Sequence, residues 1–473
     1  MTMSRSITVY LFLTIITVFL SSSILATRIA FGSCSSQKEG KGALWNELAA
    51  KDPNYLILLG DNIYTDVKGK FGHFTGATPE RIRSQYEIFQ DDSDWNLVLN
   101  KLGGWDRIFA TWDDHDYGIN NGDNTFPYRN ESLEHFLQFF HVSEEDMDSL
   151  RRRGGVYSSK DIFIPNRNND TFKVKIVMLD TRYFKDPKHT AHGDFLGEAQ
   201  WKWFEEQMQD HSAHLIIVGS SIQALPTQKI VEESWSDFPE SRSRLLDVIG
   251  SSPCSNVVLL SGDVHMAEVS QATCLSGGTG RQRRLWEFTS SGLSHTFISY
   301  LSSNNGEKMI VSRGNLINSL FNMYQATYPA PYRENRFKDQ YKGVHFGMIN
   351  VQLETATPHI AVDIYNHEGL SVIHKAVPLL DELPISTDES YKHLGNHTKC
   401  TPVNGEEESY KKVLFLFCNA LYLFVVIFVP CLFALWLVFA SGFYILFERE
   451  MKRRERIEAN YQKALEEKAK KSD

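Results

Sequence analysis

Positive charge is the scarcer sign in this 473-residue chain: 49 lysines and arginines face 58 aspartates and glutamates, a formal net charge of −9. Nucleic-acid-binding surfaces are basic, so the charge balance gives no support to that class, and no nucleic-acid partner is expected. Cysteine is sparse, at six residues, and no internal repeat is visible. Charge of either sign is missing altogether from Val413 to Phe447, a gap that points to lipid rather than water as the surrounding medium. Elsewhere the composition is that of an ordinary globular chain, 42% hydrophobic and 23% charged, which argues against global disorder. The length suits one large domain or two ordinary ones.

The first 26 residues read as a secretory signal. Arg5 opens it, Val9 to Leu20 is apolar apart from threonine, and Ser21, Ser22, Ser23 and Ala26 are small residues suited to cleavage. An uncleaved anchor is the alternative. The charge-free run at 413–447 would form a helix of about 50 Å against a hydrocarbon core of roughly 30 Å. Tilt, or a kink at Pro430, accommodates the excess; two short spans turning at Pro430 is the other arrangement. Arg449, Lys452, Arg453, Arg454 and Arg456 follow the run and Glu406, Glu407 and Glu408 precede it, so the tail 448–473 is expected in the cytosol. Sequons at Asn130, Asn169 and Asn396 all fall between the two apolar segments, consistent with a lumenal ectodomain. Lys470 and Lys471, three and four places from the end, resemble a dilysine retrieval signal of the endoplasmic reticulum and thus a possible coat-protein contact. The membrane of the endoplasmic reticulum is the expected location, with later secretory compartments or the plasma membrane as alternatives. Of the four cysteines that would be lumenal, Cys254 and Cys274 form the favoured pair; Cys34 is reserved for another role, leaving Cys400 unpaired or paired to a second chain.

Between these segments short apolar runs alternate with amphipathic stretches. Strands are expected at Arg28–Ser33, Tyr55–Leu59, Arg107–Trp112, Val174–Leu179, Leu215–Val218 and Val257–Leu260. Helices are expected near 43–50, 79–100, 197–209 and 240–249. From Leu285 onward strands predominate, at 285–289, 344–353, 359–365 and 370–374. The pattern is that of an α/β domain over 27–380. An excursion or lid is expected at 302–332, and a polar stalk at 381–412. Polar clusters sit just past the strand ends, where α/β sheets place their active residues: Gly32-Ser33-Cys34, Gly60-Asp61-Asn62-Ile63-Tyr64, Asp113-Asp114-His115-Asp116 and Gly262-Asp263-Val264-His265. Singly, each has a plain structural explanation, such as a turn, a cap, a packed thiol or a buried histidine. Together they bring carboxylates, imidazoles, a thiol and a phenol to one edge. Crowded carboxylates repel unless a cation lies among them, and a pair of metal ions is one way to ionise water and stabilise a phosphoryl oxygen.

These clusters resemble those of the PhoD-like (alkaline phosphatase D) family within the calcineurin-like metallophosphoesterase superfamily. The resemblance runs from about Arg28 to Ala376, through FGSC (31–34), GDNIYTD (60–66), ATWDDHDYG (110–118), LDTRYF (179–184), LGEAQWKWFEEQM (196–208) and SGDVHMAE (261–268). It implies a four-layer α/β/β/α sandwich, here with one C-terminal transmembrane helix, and a binuclear centre. By motif position Cys34, Asp61, Tyr64, Asp114, Asp263 and His265 correspond to metal ligands, with Asp61 bridging and Tyr64 as a phenolate. His115 corresponds to the histidine that protonates the leaving oxygen, and Asp116 is expected to orient it. Arg182, just past the strand ending at Asp180, is expected to clamp phosphate, with a salt bridge to Asp180 or Asp186 as the alternative. The family implies ferric iron with calcium, Zn2+ or Mn2+ being the alternatives; the thiolate belongs on the iron, since calcium prefers oxygen.

One departure stands out. Many members of the superfamily carry a ligand histidine or asparagine after the strand before the last motif, whereas this chain has Gly219-Ser220-Ser221-Ile222-Gln223. The expected function is a metal-dependent phosphatase acting on phosphate esters in the secretory lumen. The alternatives are a phosphodiesterase acting on lipid or glycolipid-anchor phosphates, and a non-catalytic lumenal receptor on the same fold.

Overall fold

The structure, a computed structural model, describes residues 26–37, 42–69, 73–165, 170–227, 232–296, 330–335, 337–387, 389–405, 417, 424 and 428–469. The expected signal up to residue 25, Asn169, residues 302–329 of the expected excursion, most of 413–427 and the Lys470-Lys471 pair lie outside them. The chain divides into two compact units: Met1–Asn318 with Ala330–Glu406, and Ser319–Pro329 with Glu407–Asp473.

In the first unit, β1 (Thr27–Gly32), β2 (Tyr55–Leu59) and β5 (Ile108–Thr111) run parallel. They continue through β13 (His345–Gln352), β14 (His359–Asn366) and β15 (Ser371–Pro378) in the sheet order β15-β14-β13-β1-β2-β5. The second sheet has a parallel centre of β7 (Thr171–Met178), β8 (Leu215–Gly219), β9 (Val257–Ser261) and β11 (Gln282–Ser290). It is flanked by β6 (Ser158–Pro165), β10 (Ala267–Ser276) and β12 (Gln340–Tyr341).

The strand alternation shows how the layers stack. Ile29, Phe31, Ile57 and Leu59 of the first sheet share one buried cluster with Ile176, Met178, Leu215, Ile217, Val258 and Leu260 of the second, so the sheets pack face to face. The alternate residues point the other way. Ala30, Leu56 and Leu58 join a cluster with Leu48 of α1 (Gly42–Ala50), Ile82 and Phe89 of α2 (Pro79–Gln90), Trp95 of α3 (Ser93–Leu102), Phe136 of α5 (Arg129–Phe139) and Leu150 of α6 (Glu144–Arg153). Ile216, Val218, Val257 and Leu259 join Trp201 and Phe204 of α7 (Gly197–Met208) and Leu245 and Ile249 of α8 (Pro239–Ser251). The result is four layers, α/β/β/α. Central strands buried on both faces read as continuous apolar runs, and the Tyr55–Leu59 strand has the expected bounds. The helix expected over 79–100 is two helices, because Asp92 accepts hydrogen bonds from the Asp94 and Trp95 amides and starts α3 afresh.

Two expectations are corrected at the chain's C-terminal side. The segment from 381 to 405 is not a free stalk. β16 (Thr398–Pro402) pairs antiparallel with β10, and the Gln282 and Ser386 amides bond to Pro384 and Gly280 carbonyls. Backbone pairing at an edge needs no apolar pattern, so its polar sequence concealed it. The same pairing sets Cys400 opposite Cys274, and these two form the disulfide. Cys254 stays free and buried, its thiol donating to the Asn256 carbonyl at 3.3 Å.

The second unit holds a helix, α9 (Val429–Ala469). Its stretch Cys431–Asn460 has a mean hydropathy of 1.9 over its most apolar window and none of that window is buried, so it is long and apolar enough to cross a membrane.

The ends of the two sheets are stitched together at one edge. Ser33 and Ser291 form a bridge between the ends of β1 and β11, the Leu293 amide donates to the Ser33 carbonyl at 3.1 Å, and Thr111 Oγ1 donates to the Leu179 carbonyl at 2.7 Å. His345, fully buried, supports the stitch: Nδ1 donates to the Gly343 carbonyl at 2.7 Å, which leaves Nε2 to accept from the Ser291 amide at 3.1 Å. Burial pushes this imidazole down to about 4 from its usual 6.5. The neutral ring therefore contributes stability that is complete above pH 6.5 and is lost as the pH falls toward 4, roughly 3 kcal/mol at most. His345→Gln should flatten the loss of thermal stability between pH 6.5 and 4 in a melting series; an unchanged acid slope would remove His345 from this role.

Candidate metal centre

Glycines admit the close approaches that build the site. Gly60, at φ 98°, ends β2 where a Cβ would lie 2.6 Å from the Asp113 Cβ, and a Cβ on Gly262 would lie 2.4 Å from Ser33 Oγ. Four residues that are not glycine share the left-handed region just past strand ends: Cys34 (φ 62°), Asp61 (51°), Asp263 (68°) and His265 (51°). Such conformations cost energy outside glycine, and here they gather on the residues picked out by motif.

Asp61, Asp113, Asp114 and Asp263 are buried, and each offers a carboxylate oxygen within 4.8 Å of the others; Asp61, Asp114 and His115 form a second such group. Asp113 was not singled out as a ligand in the sequence, although its neighbours in the same motif were. Its carboxylate accepts from Arg182 Nε at 2.5 Å and from Ser221 Oγ at 2.7 Å. The segment that lacks the expected histidine thus supplies a serine that supports a fourth carboxylate. Tyr64 donates from its hydroxyl to Asp61 Oδ2 at 3.0 Å, and the Cys34 thiol lies 3.5 Å from the same oxygen. Ser291 Oγ accepts from the His265 amide at 2.8 Å and sits 3.1 Å from Cys34 Sγ, which links two further candidate ligands. His295 adds an imidazole beside Tyr64 and His265, with ring centroids 5.0 and 4.9 Å away; no motif pointed to it.

The electrostatics describe a site short of positive charge. Burial, then the neighbouring charges of Cys34 and the other aspartates, pushes Asp61 well above the usual carboxylate range. Burial raises Asp113 to about 6 even with Arg182 beside it, and burial together with Glu232, Asp113 and Asp114 raises Asp263. Burial also raises the Cys34 thiol to about 11. His115 moves the other way: burial would lower it, but the charges of Asp114, Asp61 and Asp66 hold it up to about 10. Asp113 Oδ2, Asp114 Oδ1, Asp263 Oδ2 and His265 Nδ1 are buried with no hydrogen-bond partner among the described residues. Buried acceptors are ordinarily satisfied. Orphaned oxygens and a ring nitrogen on mutually repelling acids are what a cation would complete, so the donor set fits a metal centre.

Two expected roles change. Asp116 does not contact the His115 ring. Its Oδ2 accepts from the Asn62 amide at 3.1 Å and the Asn62 side chain at 2.6 Å, and its Oδ1 from the Asp113 amide at 2.5 Å. It therefore ties the turn after β2 to the turn after β5. The partner of His115 Nδ1 is Asp66 Oδ1 at 2.8 Å, and Asp66 Oδ2 accepts from the Asn120 amide at 3.0 Å. Asp66 closes the GDNIYTD segment but had been given no role. Arg182 is fully buried and donates through Nε to Asp113 and through Nη1 to Glu233, while its Nη2 has no hydrogen-bond partner among the described residues. Lys185, also buried, meets Glu233 at 3.0 Å. Asp180 is occupied otherwise than expected, accepting from Trp112 Nε1 and from the Val156, Arg182 and Tyr183 amides at 2.8–2.9 Å.

The PhoD-like phosphatase family profile matches residues 172–357. Alkaline phosphatase D of Bacillus subtilis (strain 168) is 24% identical over 276 residues, 51% of this chain and 46% of that one, so the chain spans about half the length of the curated relative it matches. Among solved structures, one described as the structure of PhoD aligns over 85% of this chain and 77% of its own at 16% identity and a TM-score of 0.48. The calcineurin-like phosphoesterase YfkN from Bacillus subtilis aligns over 84% and 97% at 10% identity and a TM-score of 0.30. The resemblance read from the motifs is borne out by the family profile and by the curated relative.

The two aspartates that exchanged roles separate experimentally. Asp116→Ala orphans three buried donor contacts and should cost on the order of 2 kcal/mol or more of folding stability, read as a lowered melting temperature. Asp66→Asn should cost less stability but lower the imidazole pKa of His115, followed by NMR in metal-free protein. An unchanged His115 titration would show that Asp66 does not hold the ring.

Proposed function

We propose that this chain, with its PhoD-like match over 172–357, is a metal-dependent hydrolase of phosphate esters. The observation that carries the reading is the set of four buried carboxylates, Asp61, Asp113, Asp114 and Asp263, the last three with orphaned oxygens, beside the Asp66–His115 pair. Asp61, Asp113, Asp114 and Asp263 would hold metal ions, with Cys34, Tyr64 and His265 as the further candidate ligands beside them. Thiolate and phenolate favour a ferric ion, and the carboxylates a harder ion such as calcium. When bound, such a pair would supply an ionised water and offset charge on the phosphoryl oxygens.

The chain's own groups do the rest. Asp66 accepts from Nδ1, which fixes the tautomer and leaves His115 Nε2 to carry a proton toward the leaving oxygen. Cations among the aspartates would offset the negative charges that hold the imidazole near 10, bringing it toward a range useful for proton transfer. Arg182 and Ser221 hold Asp113 from behind, and Asp116 fixes the turn that presents Asp114 and His115.

General-acid assistance is worth about 10²–10⁴-fold and matters most for poor leaving groups. His115→Ala should keep iron and calcium by elemental analysis, lose activity sharply on alkyl phosphates, and lose less on nitrophenyl phosphate. Loss of metal, or equal loss on both substrates, would make His115 a ligand or a transition-state clamp instead. A parallel panel of mono- and diesters decides between phosphatase and phosphodiesterase action.

For location, the reading is a lumenal catalytic domain on a single-pass membrane protein of the endoplasmic reticulum, with Lys470-Lys471 as its retrieval address. It is supported by one exposed apolar helix, by the Cys274–Cys400 cross-link suited to an oxidising compartment, and by exposed sequon asparagines Asn130 and Asn396. In intact microsomes, endoglycosidase-sensitive glycans should be present, and added protease should remove the tail while sparing the ectodomain. A protected tail would require a second span.

A further inference from the structure

Five aromatic rings form an unbroken chain of contacts that starts within the site. His265, His295, Tyr64, His115 and Phe74 follow one another at centroid separations of 4.9, 5.0, 4.4 and 5.7 Å. The first four belong to the candidate centre or touch its ligands. The fifth does not. Phe74 lies on a hairpin of two-residue strands, β3 (Val67–Lys68) and β4 (Phe74–Thr75), with Lys68 paired to Phe74. It is only half-buried and belongs to none of the three buried apolar clusters. Its contacts are with His115 and Lys68 rather than with the apolar core.

The hairpin is held in place despite its size. A two-residue ladder is too short to be stable alone. Its root is Asp66, which bonds both His115 Nδ1 and the Asn120 amide. Its exit is fixed by the Ala77 amide donating to the Gly118 carbonyl at 2.8 Å. The Gly69 amide closes it on the His73 carbonyl at 2.7 Å, and the Lys68 ammonium lies 5.4 Å from the Phe74 centroid. Both anchors lead to the segment that carries His115, so Phe74 keeps its position relative to that imidazole.

We propose that Phe74 and Lys68 line the leaving-group subsite, and that Phe74 selects phosphate esters whose leaving group carries an aromatic ring. The inference rests on the reading of His115 as the leaving-group acid. If the phosphoryl group is held at the aspartates and the proton arrives from His115, the leaving group lies on the His115 side of the phosphorus. The ring that meets His115 from outside the candidate centre is Phe74. A flat ring there meets an aromatic surface by offset or edge-on stacking, with the Lys68 cation at its margin. An alkyl leaving group has no comparable contact.

Binding of non-hydrolysable phosphonates tests this without relying on turnover. Phenylphosphonate and methylphosphonate share the phosphoryl end and differ in the ring. Titrated calorimetrically into detergent-solubilised, metal-loaded full-length protein, the phenyl compound should bind about five- to tenfold tighter. The ratio should collapse toward one in Phe74→Ala and persist in Phe74→Trp. Because it is a ratio within one preparation, partial misfolding of a variant does not imitate the effect. A wild-type ratio near one in protein that hydrolyses phosphate esters, or an unchanged ratio in Phe74→Ala, overturns the hairpin assignment alone. Binding of neither phosphonate, together with no turnover of any ester, overturns the phosphoester reading and this inference with it.

Discussion

Mutual repulsion among Asp61, Asp113, Asp114 and Asp263 is the constraint around which this edge of the molecule is organised. Four carboxylates within 4.8 Å in a buried site are unstable as neighbours unless protons, cations or hydrogen-bond donors intervene. The fold supplies each remedy in part. Arg182 and Ser221 hold Asp113, the Asn121 amide donates to Asp114 at 2.6 Å, and Tyr64 and Cys34 face Asp61. The orphaned oxygens that remain mark what backbone and side chains leave unsatisfied. Strained φ values at Cys34, Asp61, Asp263 and His265 show that the loops are held in place against local preference, and strain of that kind persists only where surrounding structure enforces it.

That enforcement comes from the sandwich. The two sheets meet through apolar side chains along most of their faces, but at the strand C-termini they meet through hydrogen bonds: backbone to backbone at Ser33 and Ser291, and Thr111 Oγ1 to the Leu179 carbonyl. Apolar packing fixes the distance between sheets without fixing register. Directional hydrogen bonds add the register, and with it the relative positions of Cys34 and His265, which come from different sheets and share Ser291 as a neighbour. His345, on β13, supports this junction from behind through the Ser291 amide. A site assembled from two sheets is thus held to the tolerance of a few hydrogen bonds.

How much of this was legible in the sequence follows from where each signal resides. Strands covered on both faces announce themselves as apolar runs, so the parallel centres of both sheets and the polar clusters past their ends could be read directly. β10 could not: Ser270 and Gln271 are buried in it, and a polar strand has no periodic signature. β16 escaped for the same reason and took the disulfide with it, since Cys274 and Cys400 are 126 positions apart and adjacent only through strand pairing. The exchange of Asp116 for Asp66 is a different failure. Sequence proximity favoured Asp116, next to His115, but a short helix turns its carboxylate back onto the Asp113 amide, as an N-terminal cap. Asp66 reaches the imidazole across 49 positions.

Arg182 changes the account of substrate binding more than any other single residue. Its position after β7 suggested a phosphate clamp, yet its Nε and Nη1 are held by Asp113 and Glu233, and the nearby Lys185 by Glu233. Counting only the acids of this neighbourhood, Asp61, Asp113, Asp114, Asp263, Glu232 and Glu233 are six against the two cations Arg182 and Lys185, while His115 is matched by Asp66. When ionised, such a cluster repels a phosphate dianion, and low-dielectric surroundings strengthen the repulsion. Under the proposed function, cations would reverse the sign of the field before any chemistry begins. Metal would then be needed for the substrate to bind at all, and substrate affinity should fall with metal content as steeply as turnover does. An arginine clamp would have separated those two dependences; an arginine buried behind a ligand couples them.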